Sequence, residues 1–375
     1  MSVPVAPPLA LSSAAAGASS QPLPGVAVGT ASPPPPAARG FTFRFRCVKI
    51  LGEGSNGVVY LSLRRRVEGG PAQDGPLPSS CFEDAGATAA EPHAPAPAPA
   101  QRALPTLHLA EADVRAPLET VAIKAIDPAR VGAELAITRR VCAGDASPFV
   151  VQLVFAAATP SCVFLGMEFC SGGDLYTLMS HEELRPADVL FYACEIGEAL
   201  GHVHSRDVLH CDIKPENVGL GADGHLRLYD FGQSHVLCEQ DRNPRTGRRE
   251  VVTQSGTLPY CCPEVLRRAP HGCESDWWSF AVLVYEMLFG CLPWYTEDDI
   301  DTCELICTSE LELPHEGPPA DDLCWDLVQH MLRKNRDARL GYPGGWSDIK
   351  QHPLFATVDW DKCRAKKYAA PFLVV

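Results

Sequence analysis

Alternating and wholly apolar runs predict β-strands in the first part of this chain. Apolar and polar side chains alternate over residues 41–46, as in a strand with one buried face. Further runs are more uniformly apolar and are bounded by loop-forming residues, which is typical of strands inside a sheet. They cover residues 58–63, 121–124, 149–153 and 162–167. The pattern therefore predicts a sheet built between residues 41 and 169.

The pattern changes to a helical period after residue 170. Between residues 186 and 207, apolar side chains recur every three or four positions, which predicts a buried helix. Its apolar positions are Val189, Tyr192, Ala193, Ile196, Leu200 and Val203. A second, strongly apolar helix is predicted over 276–288. Strands followed by helices indicate an α+β fold with a small β-rich part and a larger helical part.

Two segments are too poor in large apolar residues to build a core. Residues 1–40 are mainly Pro, Ala, Ser and Gly, and residues 67–117 are of similar composition. We expect a disordered tail at 1–40, a folded domain at 41–375 and a low-complexity insert at 67–117. The four prolines at 33–36 suit a polyproline helix that binds a Pro-recognising domain, and an inert solvated tail is the alternative.

Bulk composition limits the class of partner. The formal net charge of −14 disfavours nucleic acid or an anionic membrane as the main partner and suits basic peptides. No apolar run is long enough to span a membrane, and the chain begins without the basic start of a secretion signal. The 16 cysteines are therefore expected to be reduced thiols of an intracellular protein, cytoplasmic or nuclear.

One polar motif, residues 210–217, carries groups suited to phosphate chemistry. Asp212 can accept the proton of an attacking hydroxyl, Lys214 can hold negative charge on the group in transfer, and Asn217 offers an oxygen to a hard cation. A polar surface turn is the alternative. Asp230 follows a strand-like run and adds a carboxylate. Asn217 and Asp230 together predict a Mg²⁺ site.

The order and spacing of these residues, with Phe231-Gly232 directly after Asp230, resemble those of eukaryotic protein kinases. The resemblance implies a bilobal fold with a small lobe at 41–169 and a larger, mostly helical lobe at 170–375. It also implies transfer of the ATP γ-phosphoryl group with Mg²⁺. The lysine two residues after Asp212 is the serine/threonine pattern. Residues 337–360 resemble the AGC group, which includes the S6-type kinases.

The kinase resemblance also assigns residues to the nucleotide. A Gly-x-Gly-x-x-Gly pattern stands between two predicted strands, where kinases cover the phosphates. Lys124 would clamp the phosphates and be held by Glu134, which is only ten residues away, closer than kinases usually show. The implied nucleotide site consists of Leu51, Gly52, Gly54, Gly57, Val59, Ala122, Lys124, Glu134, Glu168, Cys170 and Asp174.

Four positions depart from the kinase pattern. Asn56 replaces an aromatic residue at the tip of the glycine-rich hairpin, and Thr138 replaces an apolar packing residue. Cys211 stands where an arginine usually precedes the catalytic aspartate, and Gly219 leaves out the aliphatic floor under adenine. These departures leave open a pseudokinase or scaffold that binds nucleotide and recruits partners through its Pro-rich segments. A small-molecule kinase is disfavoured, because residues 257–264 resemble a peptide platform.

The segment after Asp230 carries a candidate phosphosite, Thr253, at a position often phosphorylated in related kinases. With Cys211 in place of the arginine, a phosphate there would lack its usual bidentate partner. We therefore hypothesise that activity does not require phosphorylation of Thr253.

Other implied contacts concern the substrate and the large lobe. AGC kinases read basic residues before the phosphosite with acidic side chains, and the matching positions here predict a basic substrate. The resemblance also implies that one buried aspartate braces the catalytic loop, residues 210–217, and that a glutamate pairs with a distant arginine. It further implies that Thr257 hydrogen-bonds near Asp212 and Lys214. The acidic positions are Asp174, Glu216 and Glu286, the brace is Asp276, and the pair is Glu264 with Arg339.

Overall fold

The structure is a computed structural model that describes most of the chain beyond residue 39. The predicted tail, the four prolines at 33–36, Asn56 and most of the predicted insert lie outside the described residues. The described ranges are 40–54, 57–67, 107–110, 120–129, 131, 133–314 and 322–373.

A six-stranded antiparallel sheet forms the first part of the described chain, and four of the five predicted strand segments lie in it. The prediction of a strand over 149–153 was wrong in position: the strand begins at Leu153, because the backbone of residues 149–151 bonds to Leu228 instead. The strands lie in the order β3-β1-β2-β4-β6-β5. Buried apolar side chains of β4, β5 and β6 give this sheet its own core. The strands are β1 Gly40–Gly54, β2 Gly57–Val67, β3 Leu107–Ala110, β4 Thr120–Ile126, β5 Leu153–Ala158 and β6 Val163–Glu168.

The edge strand β3 differs from the sequence prediction. It lies inside residues 67–117, which were expected to form an insert without strands, and it pairs with the start of β1. In that pairing Phe43 is opposite Leu107 and Gly40 is opposite Ala110. Leu107-His108-Leu109 alternates in the manner of a strand, and the free edge of β1 offers it unpaired backbone groups. The low-complexity composition around these residues hid this short alternation.

The second part is mostly helical and holds the largest core. Helices α3 and α5 cover the two predicted helical segments, and α5 is buried almost all round, as expected for a helix at the centre of a lobe. The α+β, two-lobed architecture is therefore confirmed. The helices are α1 Glu134–Val141, α2 Leu175–His181, α3 Pro186–Ser205, α4 Pro263–Leu266, α5 Glu274–Phe289, α6 Asp299–Thr308, α7 Asp322–Met331, α8 Trp346–Ile349 and α9 Trp360–Arg364.

Two short antiparallel pairs of strands flank the polar motifs. Strand β7 pairs with β10, and β8 pairs with β9. The loop 210–217 connects β7 to β8, so both of its ends are anchored in paired backbone. These strands are β7 Val208–Leu209, β8 Val218–Leu220, β9 Leu226–Leu228 and β10 His235–Val236. Among the described residues, no helix is long and apolar enough to cross a bilayer.

Candidate active site

A buried lysine joins the sheet to the helical lobe. The Nζ atom of Lys124, in the middle of β4, lies 2.6 Å from Glu134 Oε1 and 2.8 Å from Asp230 Oδ1. Burial lowers the pKa of Lys124, but the Asp230 and Glu134 carboxylates outweigh burial and raise it above its ordinary value. The lysine is therefore cationic at neutral pH. The predicted pairing of Lys124 with Glu134 is present, although helix α1 has only 8 residues.

The glycine-rich hairpin is formed by strands β1 and β2 of the same sheet. Val59 pairs with Lys124 in the β2–β4 register, and Gly54 pairs with Gly57 where the hairpin turns. Gly57 has a φ of +133°, and a Cβ there would lie 2.3 Å from the Ala125 carbonyl oxygen. The sheet itself therefore requires this glycine. A Cβ on Gly52 would meet nothing within 4 Å.

The side chains assigned to the base differ in exposure. Leu51 is exposed, whereas Ala122 is buried on β4 beside Met167 of β6. Glu168 ends β6, and its carboxylate accepts a hydrogen bond from Arg227 Nε at 3.0 Å. The Glu168 side chain therefore binds Arg227 of β9 and is not available to the nucleotide.

Asp174, which is assigned to the nucleotide site, also caps the start of a helix. Its Oδ1 accepts from the Thr177 amide at 2.7 Å and caps helix α2. A backbone bridge to Gly219 holds Asp174 against β8, and Cys170 lies on the same side of Gly219. Two predicted nucleotide-site positions, Cys170 and Asp174, are thus brought next to Gly219 of β8.

The catalytic loop holds its aspartate through both carboxylate oxygens. Thr257 Oγ1 donates to Asp212 Oδ1 at 2.7 Å, and Asn217 Nδ2 donates to Asp212 Oδ2 at 3.0 Å. Lys214 Nζ lies 3.0 Å from Asp212 Oδ2 and donates to Thr257 Oγ1 at 2.8 Å. Asp212 is buried, so these bonds fix its orientation while leaving it ready to accept a proton. The implied contact of Thr257 with Asp212 and Lys214 is present.

Asn217 and Asp230 carry oxygen atoms of the kind that a hard divalent cation binds. The amide nitrogen of Asn217 is turned toward Asp212 and also donates to its backbone oxygen at 2.7 Å, which leaves the amide oxygen on the other side. Burial raises the pKa of Asp230, but the Lys124 charge and hydrogen bonds from Lys124 and Gly232 hold it below its ordinary value. A carboxylate and an amide oxygen are ligands that suit Mg²⁺.

Two backbone positions of this site are in the left-handed region. Cys211 has a φ of 69° and Asp230 a φ of 65°. Such conformations are strained for side-chain-bearing residues and persist only when neighbours enforce them. The implied brace does this for Cys211, because Asp276 Oδ1 accepts from its amide at 2.9 Å and Asp276 Oδ2 accepts from the His210 amide at 2.8 Å.

The segment after Asp230 is held by a carboxylate that the sequence patterns did not single out. Asp207 Oδ1 lies 2.6 Å from Arg249 of this segment, and Asp207 Oδ2 lies 2.9 Å from Arg140 of helix α1. Thr253, the candidate phosphosite, contacts His271 Nε2 with its hydroxyl at 3.0 Å. Asp207 thus links helix α1 to the segment after Asp230 through two arginines. No motif marked it.

Two more predictions concern supporting contacts. Arg339 donates two hydrogen bonds of 2.8 Å to Glu264, so the implied pair is present. Thr138 is buried, and its hydroxyl donates to the Glu134 backbone oxygen at 2.8 Å. The polar residue at this packing position is therefore satisfied within its own helix.

Comparison with known proteins agrees with this geometry. A family model described as the protein kinase domain matches residues 116–355. Ribosomal protein S6 kinase alpha-3 of Mus musculus and of Homo sapiens are each 36% identical over 227 residues, 60% of this chain and 29% of the relative. Ribosomal protein S6 kinase 2 alpha of Gallus gallus is 35% identical over 238 residues, 63% of this chain and 30% of the relative.

The family match covers most of this chain, whereas the chain covers only a small part of the S6 kinases. The matched region of 116–355 contains Lys124, both catalytic motifs and the large lobe, but it begins after the glycine-rich hairpin. The chain spans less than a third of the length of these S6 kinases. The family model covers well over half of the chain, and the chain therefore belongs to the eukaryotic protein kinase family, with a sequence like that of the AGC group.

Proposed function

We propose that this protein is a serine/threonine protein kinase that transfers the γ-phosphoryl group of ATP to a hydroxyl of a protein substrate. The observation that carries the proposal is one connected polar site. Lys124 contacts Asp230, the Tyr229 amide donates to the Asn217 backbone oxygen at 3.1 Å, and Asn217 contacts Asp212. Charge for the phosphates, oxygen ligands for a metal and a base for a hydroxyl thus share one site.

The proposed chemistry is an in-line displacement. The substrate hydroxyl oxygen forms a bond to the γ-phosphorus as the bond from that phosphorus to the ADP oxygen breaks, and the hydroxyl proton moves to Asp212. Lys214 stabilises negative charge on the transferred group, and Lys124 binds the α and β phosphates. Asn217 and Asp230 would hold Mg²⁺, which when bound neutralises phosphate charge. Positioning and electrostatics supply most of the catalysis.

Phosphate transfer from labelled ATP to purified peptides tests this function. We expect transfer to peptides that carry serine or threonine and no transfer to the same peptides with alanine at that position. Asp212→Asn, prepared in the same way, controls for contaminating kinases. A folded protein that binds ATP with Mg²⁺ but transfers nothing to any peptide or to itself would instead make the protein a pseudokinase or scaffold.

We further propose that basic residues near the phosphosite are preferred. Glu286 supports this, because it accepts a hydrogen bond of 2.6 Å from Tyr260, within the segment that resembles a peptide platform. Glu286→Gln is expected to lower kcat/KM on an arginine-containing peptide about tenfold, as for loss of one charged hydrogen bond. Activity on a neutral peptide should stay the same. Equal losses on both peptides would contradict the assignment.

Activity is expected without phosphorylation of Thr253. Thr253→Ala should keep peptide phosphorylation within about twofold of wild type, because Asp207 already links Arg249 to Arg140. Asp207→Asn should lower activity about fivefold, since each of its two partly exposed pairs is worth up to ~1 kcal/mol. Asp361→Asn, which breaks an exposed pair with Arg364, is the matched control and should change nothing.

The mass of the purified protein must be measured alongside these rates. Wild-type protein that is active and unphosphorylated at Thr253 is the expected result. Full activity of Asp207→Asn together with inactivity of Thr253→Ala would mean that the phosphosite, and not the carboxylate, holds the segment.

The remaining proposals concern organisation and location. We propose a kinase domain over 41–375, with the tail at 1–40 and the insert around 67–117 as partner-binding or inert segments, the prolines at 33–36 being suited to a Pro-recognising domain. An intracellular location is supported by free thiols at Cys211, Cys261 and Cys273, close to the catalytic loop.

A further inference from the structure

The side-chain space of Gly219 is already filled by two other residues. A Cβ built on Gly219 would lie 2.6 Å from Tyr229 Cε1, 2.7 Å from Cys170 Sγ and 2.8 Å from Cys170 Cβ. Distances under about 3 Å are not tolerated between such atoms. The absence of a side chain at Gly219 therefore leaves no open gap beside Cys170. The ring of Tyr229 and the side chain of Cys170 lie where its side chain would go.

Tyr229 is held in this position at both ends. Its amide donates to the Asn217 backbone oxygen at 3.1 Å, and its hydroxyl donates to the Glu216 backbone oxygen at 2.7 Å. The ring thus extends from β9 across Gly219 of β8 and reaches the catalytic loop. Three assigned positions lie beside it: Cys170 fills the other part of the Gly219 side-chain space, Asp174 forms a backbone bridge to Gly219, and Asp230 follows Tyr229 in the chain.

These neighbours distinguish Tyr229 from an ordinary core aromatic. The side chain is half-buried and packs against the edge of the main core. Cys170, Asp174 and Asp230 are all positions assigned to the nucleotide or its metal. The ring therefore lies at the border between the main core and the positions assigned to the nucleotide.

We propose that Tyr229 forms the floor of the nucleotide-base site in place of residue 219 and sets its preference for a purine. Gly219 is the matching partner, because only a residue without a side chain leaves room for the ring. An aromatic ring offers a base a flat apolar face, whereas an aliphatic side chain offers a narrower contact. This proposal rests on the proposed kinase function, since it concerns the ATP site of that reaction.

Direct nucleotide binding to the full chain tests the proposal. Dissociation constants for ATP and CTP with Mg²⁺ are measured by calorimetry, together with unfolding temperatures without nucleotide. Tyr229→Ala is expected to weaken ATP binding about tenfold and CTP binding less, since stacking of one base is worth about 1–3 kcal/mol. Tyr229→Phe keeps the ring and should bind ATP within about threefold of wild type.

Combined substitutions test whether Gly219 and its neighbours compete for the same space. Gly219→Leu alone should weaken ATP binding at least tenfold, because its side chain collides with the ring. Adding Tyr229→Ala and Cys170→Gly removes the collisions with both neighbours of Gly219, and this triple variant should regain ATP affinity to within about threefold of wild type.

The outcomes distinguish this proposal from the kinase function itself. If Tyr229→Ala lowers the unfolding temperature but leaves both dissociation constants unchanged, Tyr229 only packs in the core and the proposal is wrong. A triple variant no better than Gly219→Leu also overturns it. If the wild-type protein, folded, neither binds nor uses ATP, the proposed kinase function fails first. If the wild-type protein transfers phosphate and Tyr229→Ala binds ATP as tightly as wild type, the kinase function stands and only the proposed role of Tyr229 is wrong.

Discussion

Asp230→Asn is expected to lower the rate of peptide phosphorylation about a thousandfold at saturating ATP. The pKa of Asp230 is held below its ordinary value by Lys124 despite burial, so the group is an anion at neutral pH. The amide of asparagine removes the charge that a cation needs at this position. A metal's stabilisation of phosphoryl charge is worth several kcal/mol, and ~4 kcal/mol corresponds to three decades in rate.

The fold should survive this substitution, because Glu134 still lies 2.6 Å from Lys124. Unfolding temperature and circular dichroism check that point. Asp223→Asn is the matched control, since it changes an aspartate of the β8–β9 hairpin whose carboxylate pairs with Lys366 at 3.2 Å. Activity of Asp230→Asn near that of wild type would exclude a metal role for this residue.

Arg339→Ala is expected to destabilise the protein by about 3–5 kcal/mol, without any direct effect on the chemistry. The Arg339 side chain is 2% exposed, and both of its bonds to Glu264 would be lost. Removing one partner leaves a buried carboxylate unpaired, which is the costly half of breaking a buried ion pair. Urea unfolding followed by tryptophan fluorescence measures the change.

The exposed pair of Arg364 with Asp361 provides the control, and Arg364→Ala should cost under ~1 kcal/mol. A loss for Arg339→Ala as small as this control would contradict the prediction.

The dependence of stability on pH provides a second comparison with a definite sign. Burial raises the pKa of Glu264, but Arg339 outweighs burial and the net shift is downward.

A carboxyl with a lowered folded-state pKa stabilises the protein above its unfolded pKa of ~4.3. That stabilisation is lost as the pH falls through the lower folded value. The wild type should therefore lose more stability than Arg339→Ala between pH 5 and pH 3. Parallel losses in the two proteins over this range would argue against coupling between Glu264 and Arg339.

Helices with a regular spacing of apolar residues were predictable from the sequence. Contacts between the kinase motifs were predictable as well, because the order of these motifs along the chain resembles that of the family. The helices around Tyr192 and Trp278 were visible because their apolar positions repeat over many residues. The lysine–glutamate pair and the contact of Thr257 with Asp212 followed from the kinase resemblance, which supplies long-range neighbours that local patterns do not.

The features that sequence did not reveal depend on packing between distant segments. Tyr229 precedes Asp230 in the chain, but nothing in the sequence tells that its ring crosses Gly219. Asp207 lies in a short turn, and its two arginines come from 67 residues before it and 42 residues after it. Strand β3 is short, and its pairing depends on an edge that only the folded sheet offers. Composition and periodicity carry no information on such encounters.

The carboxylate of Asp207 has a consequence for the control of this enzyme. A phosphate group can be added by another kinase and removed by a phosphatase, so it makes an activation segment reversible. An aspartate is part of the polypeptide and cannot be removed without proteolysis. If Asp207 holds the segment, the catalytically competent state begins with folding and ends with degradation of the chain. Synthesis and turnover then set the amount of active enzyme in the cell, and inhibitors of phosphatases should leave that amount unchanged.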